Sequence, residues 1–273
     1  MRLSVRTLAS YYMNKHCSER DRIRNNLKDF CGPLDLAFDD SLMNATLSNL
    51  YDHFFEKLLV GSKPFEYLSN YLKARSEMAG LEHLDSALSK GKGVLAVSTH
   101  WGAIELMPVA LLDRGYPLSI IMETSSAGLA RKLFSKAKKV NAELIIESSG
   151  ARVLVSALDA LKRGRILFTQ CDEVDAWRRR QGQSIRLFNR DLFFDHTLDF
   201  IAKKTDAAAV GVFSRRMPGE RYRMTVEAIE PDESGSIARP SMHLWERYYL
   251  EAPEQGYQWK KWHAMLHGDP LLN

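Results

Sequence analysis

The chain has 273 residues, of which 45% are hydrophobic and 26% are charged, as in an ordinary soluble globular protein. This composition excludes a mainly disordered chain, because there are enough apolar side chains to build a full core. The net charge of +4 is small. It predicts no nucleic-acid partner, but it suits contact with an anionic membrane surface or a phosphate group.

Cysteine content and hydropathy indicate the cellular compartment and whether the chain crosses a membrane. Three cysteines occur without a CxxC pair, so neither a disulfide framework nor a cysteine zinc site is predicted, and a reducing compartment fits best. No apolar stretch approaches the roughly 20 residues that a membrane-spanning helix needs. Residues 1–15 have neither a long apolar segment nor a small-residue cleavage site, so no signal peptide is predicted.

The first ninety residues are predicted to form a helical layer. Phe54, Leu58 and Leu59 indicate one apolar helix face, and Met78, Leu81 and Leu84 recur at near-helical spacing. No segment in this region shows the alternation of a half-buried strand.

From residue 91 onward the pattern changes to strands alternating with helices. Short apolar runs typical of buried strands are found at 94–99, 118–122, 144–146, 166–169, 207–213 and 222–229. Helical patterns are found between them, at 103–112, 130–140, 151–161 and 198–204. This order predicts an α/β fold with a central, mostly parallel sheet flanked by helices.

The remaining segments complete a single predicted domain over 1–273. The charged segment 172–190 is predicted to be a loop or an excursion from the core. The aromatic tail 241–266 is predicted to be helical, with its Trp and Tyr residues packed in the core rather than on lipid. The domain then divides into a helical N-terminal layer (1–90), an α/β catalytic core (91–240) and C-terminal helices (241–273).

Several common catalytic signatures are absent from the sequence. There is no G-x-S-x-G, no P-loop, no G-x-G-x-x-G and no H-E-x-x-H. No cofactor and no metal are therefore predicted.

The segment 99–105, Thr-His-Trp-Gly-Ala-Ile-Glu, is the most informative in the chain. His100 follows a predicted buried strand, where active groups of parallel sheets gather. Glu105 lies five residues on, and a tight turn at Gly102 would let it accept a hydrogen bond from one ring nitrogen of His100. The other nitrogen would then act as a general base on a substrate hydroxyl, giving direct transfer without a covalent enzyme intermediate.

Four segments in order resemble the bacterial lipid A biosynthesis lauroyl/myristoyl acyltransferase family, within the lysophospholipid acyltransferase-like superfamily. Segment 99–105 is similar to the H-x(4)-D/E motif of glycerolipid acyltransferases. Segment 150–164 is similar to an Arg-containing stretch, 166–173 to a strand ending in an acidic pair, and 252–259 to a Pro-Glu-Gln-Tyr-x-x-Trp signature shifted by one residue. The resemblance implies a fatty acyl donor, either acyl carrier protein or acyl-coenzyme A, and a glycolipid or phospholipid hydroxyl as acceptor.

Further site residues are predicted beside His100. Asp172 and Glu173 end another core strand and would face the same cleft, with a solvated strand end as the alternative. The resemblance favours Glu173, with Asp172 close behind, as acidic residues that contact substrate. Arg152, near a helix start, would hold a phosphate or else form a surface ion pair.

A basic run is a candidate docking surface. Arg178, Arg179 and Arg180, with Arg186 and Arg190, would meet anionic headgroups or an acidic carrier protein, unless they form a solvated loop. Members of the family usually begin with an apolar anchoring helix that this sequence does not show. Peripheral attachment to the cytoplasmic side of the inner membrane is therefore expected.

Two other classes of function stay open at this point. One is a metal-assisted hydrolase that uses His100, Glu105, Asp172 and His196, although the spacing favours a structural role for His196. The other is a non-catalytic module that binds lipid or an acyl carrier, against which the pairing of His100 with Glu105 argues.

Overall fold

The computed structural model describes residues 1–123, 127–146, 151–173, 184–193 and 195–263. The described residues form ten α-helices and nine strands. The helices are α1 (Arg2–Lys15), α2 (Cys17–Cys31), α3 (Asp40–Ser62), α4 (Phe65–Lys73), α5 (Leu81–Ser89), α6 (Met107–Asp113), α7 (Ala127–Ala137), α8 (Ala151–Lys162), α9 (Thr197–Thr205) and α10 (Ala238–Glu251). The strands are β1 (Ser76–Ala79), β2 (Val94–Ser98), β3 (Leu118–Met122), β4 (Ala142–Ile146), β5 (Ile166–Gln170), β6 (Ser184–Leu187), β7 (Arg190–Phe193), β8 (Ala208–Met217) and β9 (Arg221–Ile229).

Seven strands form one central sheet in the order β1-β9-β8-β2-β5-β3-β4. Only the β8–β9 pair is antiparallel, and the other neighbours run parallel. All five residues of the central strand β2 are buried, because helices cover both faces of a parallel sheet and the strand therefore has no polar side. The predicted α/β fold with a mostly parallel sheet is confirmed.

The N-terminal layer is mainly helical, as predicted, but it also contributes a strand. Met78 lies in β1, which pairs in parallel with β9 through Ser76 and Tyr222, so the prediction that Met78 continues a helix with Leu81 and Leu84 is wrong. The four-residue run has no strand alternation of its own, and the edge of the sheet supplies its hydrogen bonds. The helix α5 starts only after Gly80, whose φ is +79°.

The apolar face predicted for α3 is only partly buried. Leu59 is buried, but Phe54 and Leu58 are exposed to solvent by 42% and 49%. The buried face of α3 instead carries Leu50 and several polar residues, including His53 and Glu56.

The segment 172–190 was predicted to be a loop or an excursion, and its described part contains most of a β-hairpin. Strands β6 and β7 form an antiparallel hairpin, turned by Phe188 and Asn189 with φ of 53° and 56°. Two successive positive φ values match the right-handed twist of a two-stranded hairpin. Residues 174–183 lie outside the described residues.

The aromatic tail is packed in the core, as predicted. Trp245, Trp259 and Trp262 are all buried. The edge of Trp262 contacts Phe30 of α2, with ring centroids 5.2 Å apart, and Phe188 of the hairpin, at 5.5 Å. The tail therefore joins the N-terminal helices, the hairpin and the sheet into one core.

Candidate active site

The site is built where the parallel strands β2 and β5 end side by side. Their register pairs Ser98 with Gln170, so His100 and Asp172 each stand two residues beyond a paired position. The backbone N–H of His100 donates to Asp172 Oδ2 at 2.8 Å, and His100 Nδ1 lies 2.9 Å from Asp172 Oδ1. Because a carboxylate only accepts, Nδ1 donates its proton in this contact, and when the ring is neutral Nε2 carries the lone pair.

The charges around His100 favour its protonated form. Asp172 is fully buried, and Glu173 Oε1 lies 3.5 Å from His100 Nε2. Burial alone would lower the pKa of His100, but the charge and hydrogen bond of Asp172, together with the charges of Glu173 and Glu105, outweigh it and raise the pKa above its ordinary value. The imidazole is thus a stronger base than a free histidine.

The turn after His100 depends on a glycine. Gly102 has a φ of +62°, and a Cβ at this position would lie 2.0 Å from the carbonyl oxygen of Ser214. The N–H of Gly102 donates to Gln255 O at 3.0 Å and that of Ala103 to Ser214 O at 2.6 Å. A side chain would collide with the strand β8 that supports the turn.

The C-terminal segment 252–259 supports the same turn from the other side. The carbonyl of His100 accepts hydrogen bonds from the Tyr257 N–H at 3.2 Å and from Tyr249 Oη at 3.0 Å. The Gln255 side chain bonds both to the N–H of Arg216, at 2.8 Å, and to its carbonyl, at 3.0 Å. The Pro-Glu-Gln segment therefore acts as scaffold for the histidine turn, although it lies about 150 residues away in sequence.

Glu105 does not make the hydrogen bond that the spacing predicted. The acceptor for His100 Nδ1 is Asp172, whereas Glu105 Oε1 lies 3.7 Å from Lys57 Nζ and 4.0 Å from His53 Nε2, both on α3. The reason is the Gly102 turn, which directs the 3₁₀ turn Ile104–Leu106 toward α3. Glu105 still acts on His100 through its charge, which raises the pKa of the imidazole. Its catalytic role stays a prediction.

Two residues that sequence reasoning missed complete the surroundings of His100. The ring of Tyr257 stacks on buried His53 with centroids 3.7 Å apart, and it meets His100 at 82° with centroids 5.3 Å apart. Burial, helped by the charges of Lys57 and Arg216, holds the pKa of His53 well below its usual range, so this ring is neutral. The only sequence signal for His53 is its place three residues after Leu50 on the buried face of α3.

A comparison with known families agrees with this geometry. A sequence profile described as bacterial lipid A biosynthesis acyltransferase matches residues 1–262. The chain belongs to this family. The suspected family is thereby confirmed, and membership indicates acyltransferase activity in lipid A biosynthesis. A search of curated proteins found no match.

Arg152 is exposed near the start of α8. Helix α8 connects β4 to β5 and packs against β3, β4 and β5. The role of Arg152 toward a phosphate stays a prediction.

The predicted basic run is only partly described. Arg178, Arg179 and Arg180 lie outside the described residues. Arg186 is exposed, 3.6 Å from Asp191 across the hairpin, while Arg190 donates to the carbonyl and side chain of Asp29, both at 2.8 Å. Arg190 therefore ties the hairpin to α2.

His196 was a candidate metal ligand in the alternative hypothesis of a metal-assisted hydrolase. His196 Nδ1 lies 2.5 Å from Asp199 Oδ2, and Asp199 also accepts from the N–H groups of Ile237 and Ala238 at the start of α10, at 2.8 and 2.9 Å. His196 is therefore part of a helix-start network. Within the described ranges, no group of three His, Cys, Asp or Glu side chains is placed to hold a metal ion, and no helix is long and apolar enough to cross a bilayer.

Proposed function

We propose that this family member moves a fatty acyl chain from an acyl thioester, carried by acyl carrier protein or coenzyme A, to a hydroxyl of a lipid A-like glycolipid or a phospholipid. The observation that carries the proposal is the contact of His100 with Asp172 at the ends of two adjacent strands. It fixes the imidazole and leaves Nε2 as the base, and the His100 side chain is 14% exposed. This arrangement requires no cofactor.

The reaction then follows from general base catalysis. His100 Nε2 removes the proton from the acceptor hydroxyl, whose oxygen attacks the thioester carbonyl carbon. The tetrahedral intermediate collapses, the C–S bond breaks, and the imidazolium returns its proton to the leaving thiolate. Asp172 stabilises the imidazolium during both steps by charge and by the Nδ1 hydrogen bond.

The acidic neighbours take supporting roles in this proposal. Glu173, 3.5 Å from Nε2, stands where the acceptor hydroxyl approaches and orients it, and Glu105 adds negative charge that stabilises the imidazolium. Arg152 holds an anionic group of a substrate. We place the enzyme peripherally on the cytoplasmic side of the inner membrane, where lipid acceptors and thioester donors meet.

The environment of Cys171 favours direct acyl transfer to the acceptor over a route in which a cysteine of the enzyme first takes up the acyl chain. Cys171 adjoins Asp172, but its thiol is buried, and burial raises its pKa well above the usual range, so it stays protonated. A protonated and enclosed thiol is a poor nucleophile, whereas His100 reaches solvent.

The test is mass spectrometry of the products made from acyl carrier protein and coenzyme A donors with a panel of lipid acceptors. We expect an acylated lipid from the wild type and from the surface control His243→Ala, and none from His100→Ala. Equal product from His100→Ala would overturn the base assignment. Release of free fatty acid without acylated lipid across the whole panel would indicate a thioesterase instead.

A further inference from the structure

Helix α3 and the start of α4 leave large apolar side chains in solvent. Phe54, Leu58 and Tyr67 are 42%, 49% and 47% exposed. Phe54 and Leu58 are four residues apart and share one helix face, and Lys57 stands between them. Lys63 follows at the end of the helix, with its Nζ 5.2 Å from the centre of the Tyr67 ring. These five residues are called the α3–α4 face below.

The acidic residues in the second half of α3 are buried. Asp52 and Glu56 are buried, where Asp52 pairs with Arg2 and Arg6 and Glu56 with Arg216. The exposed residues between positions 54 and 63 are therefore apolar, basic or uncharged. Glu66 is the one exposed acid between positions 53 and 70.

Helix α7 extends the basic character of this region. Lys136 Nζ donates to the carbonyls of Val60, Gly61 and Lys63, at 2.9, 2.9 and 2.8 Å, which fixes α7 against the end of α3. Lys132, one turn earlier on the same side of α7, is exposed. Residues 127–139 contain no acidic residue.

The α3–α4 face adjoins the candidate active site. Lys57 Nζ is 3.7 Å from Glu105 Oε1, and Glu105 follows the turn that carries His100. A surface that meets this face would thus lie close to the turn that carries His100.

We propose that the α3–α4 face docks on an anionic lipid surface and so presents the acceptor lipid to His100. Exposed Phe, Leu and Tyr side chains interspersed with Lys are typical of elements that lie at a bilayer interface, where rings enter the headgroup layer and lysines meet anionic lipids. An acidic carrier protein would match the lysines, but it offers no apolar layer to cover Phe54 and Leu58. The inference deepens the proposed function, because it rests on a lipid acceptor.

The experiment is sedimentation of the full chain with vesicles, in the absence of any acyl donor. Vesicles of phosphatidylcholine alone are compared with vesicles that also contain phosphatidylglycerol. The test variant is Phe54→Ser/Lys63→Gln. Phe54 lies beside the ring of His53, with centroids 6.0 Å apart, so the readout is vesicle binding and not turnover. The matched control is Phe200→Ser/Lys204→Gln on α9, where an exposed Phe also lies beside a lysine, 5.8 Å from ring centre to Nζ. Thermal unfolding verifies that both variants are folded.

We expect binding to the anionic vesicles that weakens with salt, a control that binds like the wild type, and a test variant with lower affinity. The lysine change alone should weaken binding about fivefold, and loss of Phe54 should weaken it further. Equal affinities for the two variants, or no preference of the wild type for anionic vesicles, would overturn the proposal. So would a test variant that binds vesicles normally but loses affinity for acyl carrier protein.

The outcome is separable from that of the proposed function, because vesicle binding needs no turnover. A protein that binds through this face but acylates nothing would disprove the transferase proposal and leave the docking face standing. If the protein acylates lipids but Phe54→Ser/Lys63→Gln binds vesicles like the wild type, the transferase proposal stands and the docking face is disproved.

Discussion

Asp172 holds His100 at two points, with one carboxylate oxygen on the backbone N–H at 2.8 Å and the other on Nδ1 at 2.9 Å. Both contacts follow from the register of β2 with β5, so the orientation of the imidazole is set by the sheet rather than by a flexible side chain. The two carboxylate oxygens of Asp172 have different partners. The negative charge of Asp172 and its effect on the tautomer of His100 can therefore be tested separately.

Asp172→Asn should fold but lose activity, by about 10²–10⁴-fold. An amide has one acceptor oxygen, which is needed at the His100 N–H, so its NH₂ group faces Nδ1. Nδ1 then becomes the acceptor and the proton moves to Nε2, which removes the base. Steady-state kcat for acyl transfer measures the loss. Activity within threefold of the wild type would contradict this role of Asp172.

The pH profile gives a second measure of the same charges. The pKa of His100 is raised, and the neutral form is the base, so kcat/KM should fall on acidification through a value above the ordinary histidine pKa of 6.5. Glu173→Gln removes one negative neighbour and keeps the Asp172 contacts, so its acidic limb should shift to lower pH. An unchanged or higher limb in Glu173→Gln would show that Glu173 does not act on the charge of His100.

Gly102→Ala should destabilise the protein more than the matched change Gly115→Ala. Both glycines have positive φ, +62° and +87°, and the left-handed backbone costs an L-residue about 1–2 kcal/mol. At Gly115 nothing lies within 4 Å of an added Cβ, whereas at Gly102 the Ser214 carbonyl oxygen lies at 2.0 Å. The difference between their free energies of unfolding in urea therefore reports the collision. Equal losses would contradict the close approach of the histidine turn to β8.

Arg216→Met should cost about 3–5 kcal/mol of unfolding free energy, because it leaves Glu56 as an unpaired buried carboxylate. Arg216 Nη2 lies 2.7 Å from Glu56 Oε2, and both side chains are buried. Burial outweighs the attraction of Arg216 and raises the pKa of Glu56, so the pair has little surplus stability. The double variant Arg216→Met/Glu56→Gln should recover part of the loss.

The neighbouring pair Arg223–Glu77 supplies the control for this change. Its atoms are 2.6 Å apart, but its side chains are exposed, so Arg223→Met should cost only about 0–1 kcal/mol. Similar losses for Arg216→Met and Arg223→Met would show that burial of the first pair is not what makes it sensitive.

The sheet and the position of His100 were predictable from the sequence because both rest on local pattern. Runs such as 94–98 are buried on both faces and therefore read as strands wherever they occur. β1 was missed because its four residues become a strand only through pairing with β9, some 145 residues later. Local spacing alone does not reveal such long-range pairing.

The partner of His100 was mispredicted for the same physical reason. Spacing along the chain offered Glu105, but the contact is decided by which strand lies beside β2, and that strand is β5 with Asp172. The acidic pair 172–173 was expected beside His100 from its strand-end position, and Asp172 Oδ1 lies 2.9 Å from His100 Nδ1. The roles of His53, Tyr257 and Gln255 depend on helices and turns brought together only in the folded chain.

The last prediction concerns His53 and the stability of the fold at acidic pH. Its pKa is held well below the ordinary 6.5 in the folded chain, so below pH 6.5 the unfolded chain takes up a proton that the folded chain does not. The unfolding free energy therefore decreases as the pH falls from about 6.5 toward the folded pKa, by up to about 1.4 kcal/mol per pH unit.

The titration of His100 changes the unfolding free energy in the opposite direction and over a different pH range. Its raised pKa adds stability that is fully present below the unfolded pKa and is lost as the pH rises through the folded pKa, so it is constant where His53 acts. His53→Phe keeps a ring on Tyr257 and removes the titration. Urea unfolding between pH 6.5 and 5 should show a flatter decline in His53→Phe than in the wild type or the exposed control His243→Phe. Equal slopes in all three proteins would mean that the His53 ring takes up a proton in the folded chain.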